Sequence, residues 1–280
     1  MRILISADME GATGVTWPAD VEPGTEQWQR FRRMFNGDVN ACVRGLVDGG
    51  ADDVLVNEAH DSQRNLLLEE LDERARMLTG KHKPLSMMQG IESGVDGVGV
   101  DGVVFLGYHT GAGAEGVLSH TYLGNSVTGV WLDGVRASEG RLNAAVAAEH
   151  GVPVLLVTGD DKTCADADEY APEAGKAAVK ECVSRYAAIC LPPARSGRLI
   201  EEAARLAMAR AGRIEPVVSG HHMEVAFDAA HLAAAAAVIP TVERVSLLRV
   251  GYDAPNMTEA MKAFKIVTNI ASGAVEKTYG

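Results

Sequence analysis

Short apolar runs alternate with longer amphipathic segments along the first half of the chain. Four runs rich in Val, Leu and Ile predict buried strands, at residues 2–7, 53–57, 102–108 and 152–158. Apolar residues at helical spacing predict helices at residues 26–47, 66–76 and 138–150. Gly49 and Gly50 end the first of these helices, and Ser138 can cap the last. Buried strands separated by helices are typical of a mostly parallel sheet covered on both faces.

The remaining segments have a different pattern. A hairpin is predicted at residues 126–136, with Asp133 and Gly134 at the turn. Further helices are predicted at residues 172–189, 195–211 and 257–271, and further strands at 223–227 and 244–250. Because Leu191-Pro-Pro interrupts the helical spacing, we place a boundary there. We therefore expect an α/β protein with a metal-binding catalytic domain at residues 1–192. A smaller α+β part at residues 193–280 should pack against it.

Charge and composition narrow the possible functions. The chain has 280 residues and a net charge of -12, which makes nucleic acid a poor partner and leaves carboxylates available as ligands. The N-terminal apolar run is too short for a signal peptide, and no run of apolar residues is long enough to predict a membrane span. The four cysteines form no CxxC pair, so we expect reduced thiols and a cytoplasmic location.

Candidate metal ligands follow three of the predicted strands. Asp8 and Glu10 come directly after the first strand, His60 follows the second, and His109 follows the third. Taken singly, each has an ordinary explanation as a solvated or structural residue. Because ligands in open α/β sheets bind beyond the carboxyl ends of the strands, the repetition favours a shared site. Imidazole and carboxylate together suit Zn, and also Mn, Fe or Co.

Two further positions could contribute to the same site. His120 could be a ligand or a general acid/base, and Glu139 could be a ligand or could complement the dipole of its helix. Asp160 and Asp161 follow the fourth long strand and could orient ligands. The remaining histidines are weaker candidates.

One motif points elsewhere. Residues 111–116 match G-x-G-x-x-G after a strand, but the sequence that follows favours a hairpin over the helix that a dinucleotide site needs. Residues 11–14 lack the lysine of a phosphate-binding loop. We expect neither segment to bind a nucleotide.

Six short motifs occur together in the order found in the M55 metallopeptidases, and the chain resembles that family along essentially its whole length. The motifs are Asp-Met-Glu-Gly at 8–11, Asn-Glu-Ala-His at 57–60, Gly-Tyr-His at 107–109, Ser-His at 119–120, Glu-Gly-Arg-Leu-Asn at 139–143 and Thr-Gly-Asp-Asp at 158–161.

The resemblance implies two divalent metal ions per chain, with zinc as the expected metal. It implies that Asp8 bridges the ions, that Glu10 and His60 bind one of them, and that His109 and Glu139 bind the other.

The resemblance also implies an activity. His120 matches the catalytic histidine of a family of aminopeptidases that release N-terminal residues, D-residues in the founding member, from short peptides. Family members form ring-shaped homo-oligomers, decamers built from pentamers. Four alternatives stay open: an L-selective peptidase, a metal-dependent amidohydrolase acting on a non-peptide amide, a nucleotide-dependent oxidoreductase and a non-catalytic scaffold.

Overall fold

The computed structural model describes residues 1–92, 99–209 and 221–276, which form two sheets and their flanking helices. The strands are β1 (Arg2–Ala7), β2 (Asp53–Glu58), β3 (Ala75–Leu78), β4 (Gly102–Leu106), β5 (Val127–Leu132), β6 (Val135–Arg136), β7 (Val154–Asp160), β8 (Gly175–Ser184), β9 (Ala187–Cys190), β10 (His221–Phe227), β11 (Glu243–Arg244) and β12 (Arg249–Ala254). The helices are α1 (Pro18–Val21), α2 (Glu26–Asp48), α3 (Glu139–Glu149), α4 (Asp161–Tyr170), α5 (Pro193–Met208), α6 (Ala230–Ala236) and α7 (Met257–Gly273).

The larger sheet has the strand order β3-β2-β1-β4-β7-β8-β9. All its pairings are parallel except that of β8 with the edge strand β9. Ala7 at the end of β1 lies level with Glu58 of β2 and with Leu106 of β4. Three strands therefore end side by side, and the loops that follow them emerge at one edge of the sheet. The chain order reverses between β1 and β4, which is where ligands bind in open α/β sheets.

Alternate side chains of β1 enter two different cores. Ile3 and Ile5 pack with α2 and α5 on one face, whereas Leu4 packs on the other face with α3, α7 and the second sheet. All three side chains are almost completely buried. Burial on both faces explains why the central strands are continuous apolar runs, as the sequence predicts.

The second sheet is antiparallel, in the order β11-β12-β10-β5-β6. The predicted hairpin at residues 126–136 is confirmed as β5 and β6, and its strand β5 pairs with β10 from the C-terminal region. Helix α5, which follows the predicted boundary, packs against α2, and both helices cover one face of the larger sheet. The mixed α/β architecture is confirmed, whereas the division at residue 192 stays a prediction. Within the described ranges, no helix is long and apolar enough to cross a membrane, and the four cysteines are free.

The helix predicted at residues 66–76 is wrong. A single 3-10 turn, Leu68–Glu70, is followed by strand β3, which pairs with β2 at the edge of the larger sheet. Asn36 and Asn40 of α2 donate to and accept from the backbone of this segment at 2.7–3.0 Å. These side chains satisfy backbone groups that a helix would satisfy internally, so tertiary contacts override a weak local preference.

The helix predicted at residues 172–189 is also wrong, because the segment forms the hairpin β8–β9. Its alanines favour a helix, but β8 pairs along its first half with β7 and buries Ala177 and Val179 in the core. Sheet pairing and burial again outweigh intrinsic propensity.

The strand predicted at residues 244–250 is two strands, β11 and β12, joined by a turn in which Val245 N donates to Arg249 O at 2.9 Å. The helices predicted at 26–47, 138–150 and 257–271 are confirmed as α2, α3 and α7. The helix predicted at 195–211 is α5, and the last residues of that prediction, 210 and 211, lie outside the described residues.

Candidate metal centre

Five side chains meet at the edge where β1, β2 and β4 end, and together they form what we call the carboxylate–histidine cluster. Its members are Asp8, Glu10, His60, His109 and Glu139. Four of them come from the three strand ends, and Glu139 comes from the first turn of α3. None is more than 7% exposed. The structure thus brings together all five metal ligands that the sequence predicts, although whether they bind metal stays a prediction.

Asp8 lies at the centre of the cluster. Its Oδ1 atom is 3.4 Å from His60 Nδ1, and its Oδ2 atom is 3.5 Å from His109 Nε2. The two carboxylate oxygens therefore face different histidines. Ligand atoms within 4.8 Å of one another form one group from Asp8, Glu10 and His60, and a second from Asp8, His109 and Glu139. Asp8 belongs to both groups, as a bridging carboxylate would.

Glu10 and Glu139 complete the two groups. Glu10 Oε2 lies 2.9 Å from His60 Nδ1, and Glu139 Oε2 lies 3.7 Å from His109 Nε2. The other oxygen of Glu139 accepts a hydrogen bond from Tyr122 N at 2.7 Å, which fixes the carboxylate orientation. Each group thus contains two carboxylates and one imidazole.

Backbone carbonyls determine which nitrogen of each histidine carries the hydrogen. His60 Nε2 lies 2.9 Å from Val21 O, and His109 Nδ1 lies 2.9 Å from Thr110 O. Since a carbonyl only accepts hydrogen bonds, these nitrogens donate, and the opposite nitrogen of a neutral ring presents a lone pair to the carboxylates. Lone pairs that face carboxylate oxygens repel unless a proton or a cation lies between them. A second ring nitrogen bonded to a carbonyl is also the usual arrangement of histidine ligands.

Two buried atoms of the cluster have no hydrogen-bond partner, Glu10 Oε2 and His109 Nε2. Buried polar atoms are rarely left unpaired, and both of these face the interior of the cluster. A donor set of carboxylates and imidazoles suits Zn²⁺. The residues present therefore fit two zinc ions, one in each group.

The electrostatics of the cluster favour positive charge. Burial alone would lower the pKa of His109, but the negative charges of Glu139, Asp8 and Glu10 outweigh it and raise the pKa to about 10. Burial likewise opposes ionisation of Asp8, yet its contacts with His109 and His60 hold its pKa well below the usual value. The cluster thus favours a positive charge between its carboxylates, which cations could supply.

His120 lies beside the cluster, where its ring stacks on that of His109 with centroids 4.2 Å apart and planes 7° apart. Its Nδ1 atom bonds to Leu118 O at 2.8 Å, and its Nε2 atom lies 3.6 Å from Glu10 Oε1. Burial, and then the positive charge of His109, lower the pKa of His120 to about 4. His120 is therefore a neutral imidazole near pH 7, with a free Nε2 lone pair inside the cavity. Its ligand atom also forms a third candidate group with Glu10 and His109.

Two glycines allow the loops to approach so closely. Gly11 N donates to Gly107 O at 2.7 Å, and a Cβ on Gly11 would lie 2.0 Å from Tyr108 O. Gly107 has a φ of +71°, and a Cβ there would lie 2.1 Å from Asp8 O. Only glycine fits at either position, so these residues set the spacing between the first and third loops.

A buried polar network supports the cluster from below. Tyr108 OH lies 2.7 Å from Ser6 Oγ and accepts from Asn143 Nδ2 at 2.9 Å. Ser6 lies on β1, Asn143 on α3 and Tyr108 in the loop after β4, so the network ties together three of the elements that carry the cluster. This network could not be recognised from the sequence, although Tyr108 and Asn143 lie within the quoted motifs.

Lys180 is another supporting residue that could not be recognised from the sequence. Its ammonium group is buried and donates to Glu10 O at 2.6 Å, Ala12 O at 3.0 Å and Val15 O at 2.6 Å. It thereby holds the loop that carries Glu10. The segment around Lys180 is wrongly predicted as a helix. The sequence therefore contained no sign that the Lys180 side chain points from β8 into the core.

Asp160 and two of the remaining histidines have structural roles. Asp160 caps α4 and accepts from Val117 N at 2.7 Å, so it orients the loop that leads to His120. Residues 111–116 form turns with no helix after them, as expected. His150 faces Thr258, and His221 pairs with Asp133, outside the cluster.

The cluster forms the floor of a cavity of about 460 Å³. His120, Tyr122 and Met87 also line it. Exposed residues of α7 and of the loop after β3, among them Lys81 and Asn269, line it too, and we call this exposed side of the cavity its mouth. This volume is in the lower part of the range for small-molecule sites, so the cavity suits a short substrate.

Comparison with known proteins gives the same result in sequence and in structure. The family model Peptidase_M55, described as D-aminopeptidase, matches residues 1–266. A D-aminopeptidase of Bacillus subtilis (strain 168) is 32% identical over 274 residues, which cover 97% of this chain and 98% of that protein. The solved structure of Zn-dependent D-aminopeptidase DppA from Bacillus subtilis, described as a self-compartmentalizing protease, matches with a TM-score of 0.92 at 32% identity. That match covers 99% of this chain and 100% of the other. With its whole length matched in this way, the chain belongs to the M55 family of D-aminopeptidases.

Proposed function

We propose that this protein is a zinc-dependent D-aminopeptidase that removes the N-terminal residue from short peptides. The observation that carries the proposal is the position of Asp8, whose two carboxylate oxygens face histidines of two separate ligand groups. The family relatives support the reaction type, since one is described as a Zn-dependent D-aminopeptidase.

In this proposal the cluster would hold two ions. Asp8 would be a ligand shared by both, Glu10 and His60 would hold one, and His109 and Glu139 would hold the other. When bound, the ions would polarise the scissile carbonyl, lower the pKa of the attacking water and take up the free α-amino group of the substrate. The protein keeps the ligands buried and oriented by backbone hydrogen bonds, so little rearrangement is needed when the ions enter.

His120 is the proposed general acid/base. Its Nδ1–H is held by Leu118 O, so Nε2 is the atom that exchanges protons. As water attacks the scissile carbonyl carbon, Nε2 takes up a proton, and it returns that proton to the amine nitrogen as the C–N bond breaks. A neutral imidazole near pH 7 can perform the first transfer, and the protonated ring performs the second.

The experiment begins with metal-free protein. Zn²⁺, Mn²⁺ or Co²⁺ is then added, and cleavage of D-Ala-D-Ala and L-Ala-L-Ala is measured side by side, with N-acetyl-D-Ala-D-Ala as a blocked control. We expect about two metal ions per chain and metal-restored cleavage of the D-peptide, with no cleavage of the blocked peptide. Cleavage of only the L-peptide would overturn the stereochemical assignment. Two bound ions without cleavage of either peptide would favour the alternative of a non-peptide amide substrate.

We also propose that the protein acts as a cytoplasmic homo-oligomer, a ring-shaped decamer. The description of the DppA relative as self-compartmentalizing supports assembly. Trp17, Val183, Tyr186 and Ile189 are 42–65% exposed, and the Trp17 and Tyr186 rings contact each other with centroids 5.2 Å apart. Exposed apolar groups of this kind suit a subunit contact. Light scattering on the purified protein should give the mass of ten chains, and a monomer would contradict the assignment.

A further inference from the structure

Two lysines stand at the mouth of a cavity whose floor is acidic. Lys81 lies in the loop after β3 and is exposed, whereas Lys265 lies on α7 and is partly buried. We call them the lysine pair. Both line the same cavity as Asp8 and Glu10, together with the polar side chains of Thr268 and other α7 residues. In a chain with a net charge of -12, two cations that share the mouth of the active cavity need an explanation.

The lysine pair has no acidic partner among the residues that the structure describes. Lys265 Nζ donates only to a backbone oxygen, Lys83 O, and Lys81 forms no ion pair there. Burial, and then the positive charge of Lys81, lower the pKa of Lys265, so the two ammonium groups lie close enough to repel each other. The third lysine of this segment differs, because Lys83 Nζ is buried and bonded to Asn57 Oδ1 and Glu58 O at 2.6 Å. Two unpaired and mutually repelling cations beside a ligand cavity are suited to an anionic group of the ligand.

We infer that Lys81 and Lys265 bind the C-terminal carboxylate of the peptide substrate. This inference rests on the proposed function and adds a requirement to it, namely that the substrate has a free C-terminus within a few residues of the bond that is cleaved. The carboxylate is the anion that every unmodified peptide carries at the end opposite to its α-amino group. An ammonium group binds a carboxylate as a point charge without strict geometry, which suits a mobile side chain at a cavity mouth.

The dimensions agree with this assignment. A peptide residue spans at most about 3.3–3.6 Å in extended conformation, and the cavity volume is about 460 Å³. A cavity of this volume suits a short peptide, whose carboxylate is one or a few residues from the scissile bond. In a longer peptide the carboxylate lies beyond the lysine pair and gains nothing from it. The same two charges would thus favour short peptides over long ones.

The carboxylate is not one of the reacting groups and its charge does not change during cleavage, so the contact stabilises the bound substrate and the transition state about equally. Such uniform binding lowers KM and leaves kcat unchanged. Loss of the carboxylate or of the lysine pair should therefore affect KM. A purely structural role of the lysines would not distinguish between substrates that differ only at the C-terminus.

The test compares D-Ala-D-Ala with its C-terminal amide in the zinc-loaded protein. We expect kcat/KM for the free acid to exceed that for the amide by about 10-fold, with the difference in KM. Lys81→Met and Lys265→Met should each reduce this preference, and the double variant should abolish it. Lys262→Met is the matched control, because Lys262 lies on the same helix and pairs with Glu259 at 2.9 Å on the surface. It should keep the preference of the native protein.

Equal kcat/KM for acid and amide in the native protein would overturn the inference, and so would a preference that survives in the double variant. If neither peptide is cleaved, the proposed function fails. Equilibrium binding then tests separately whether the lysine pair binds the C-terminal carboxylate. In zinc-loaded His120→Asn protein, calorimetry should show tighter binding of the acid than of the amide. Equal affinity, or no binding of either peptide, would contradict the assignment.

Discussion

The floor and the mouth of the cavity are built in opposite ways. The carboxylate–histidine cluster is buried, comes mostly from the ends of adjacent strands, and has ring nitrogens held by backbone carbonyls. The lysine pair comes from a loop and a helix, and Lys81 is exposed whereas Lys265 is partly buried. Among the residues that the structure describes, the pair has one hydrogen bond, from Lys265 to a backbone oxygen. The proposed metal ligands thus lie on a rigid sheet edge, which would hold ions at fixed positions. The lysines proposed to bind the substrate carboxylate lie where side chains can adjust.

Removal of the Asp8 carboxylate, the proposed bridging ligand, tests the floor of the cavity and should give the largest effect. In Asp8→Ala we expect loss of both ions and a fall in activity of more than about 10⁴-fold, because the catalysis that depends on the ions disappears with them. Elemental analysis and the D-Ala-D-Ala assay measure the two effects. Asp161→Asn is the control, since Asp161 lies at the same sheet edge but outside the cluster, and it should keep two ions. An Asp8→Ala protein with full metal content and full activity would refute the bridging role.

Substitution of His120 should separate catalysis from metal binding within the floor. His120→Asn should lower kcat by about 10²–10⁴-fold, the usual contribution of a general acid/base, while about two ions stay bound. Steady-state kinetics and metal analysis on the same sample measure both quantities. His82→Asn, which changes an exposed histidine at the cavity mouth, should leave kcat unchanged. If His120→Asn loses an ion instead, His120 is a ligand in the third group, with Glu10 and His109.

Removal of the buried Lys180 ammonium group, which holds the loop that carries Glu10, should give a smaller effect. Lys180→Met keeps the length of the side chain but leaves the carbonyls of Glu10, Ala12 and Val15 without their donor. We expect the free energy of unfolding to fall by about 2–3 kcal/mol. Zinc affinity should fall about 10–100-fold, because Lys180 orients the loop that carries the proposed ligand Glu10 and loss of an orienting group usually has an effect of this size.

Denaturant unfolding and zinc titration measure these two changes. Lys176→Met is the control on the same strand, because Lys176 pairs with Asp168 near the surface, where ion pairs contribute about 0–1 kcal/mol. Native zinc affinity in Lys180→Met would show that the Glu10 loop keeps its position without this lysine.

The same contrast explains how much the sequence could predict. Asp8 and His109 were identifiable because each directly follows an apolar run, and His60 because it lies three residues beyond one. Parallel strands of matched register bring these ends together. The position of a residue relative to an apolar strand can be predicted from a single sequence. The fold class could also be predicted, because strands buried on both faces are continuous apolar runs.

The lysine pair could not be found in this way. A lysine in a loop or on an amphipathic helix is ordinary, and only the tertiary structure places Lys81 and Lys265 at one cavity. The two wrong helices have a related cause, since tertiary contacts with Asn36 and Asn40, and pairing with β7, decide the conformation there. Lys180 was missed because it lies in one of those segments.

The smallest expected effect is the response of the two regions to salt. Exposed charges are screened when the Debye length falls from about 10 Å at 0.1 M to about 3 Å at 1 M, whereas buried groups are screened much less. Between these ionic strengths we expect KM for D-Ala-D-Ala to rise about 2- to 3-fold, while kcat and metal content stay constant. KM for the amide should change little, and the Lys81→Met/Lys265→Met protein should show no difference between the two peptides. A salt-dependent kcat would place the sensitive charges on the floor and not at the mouth.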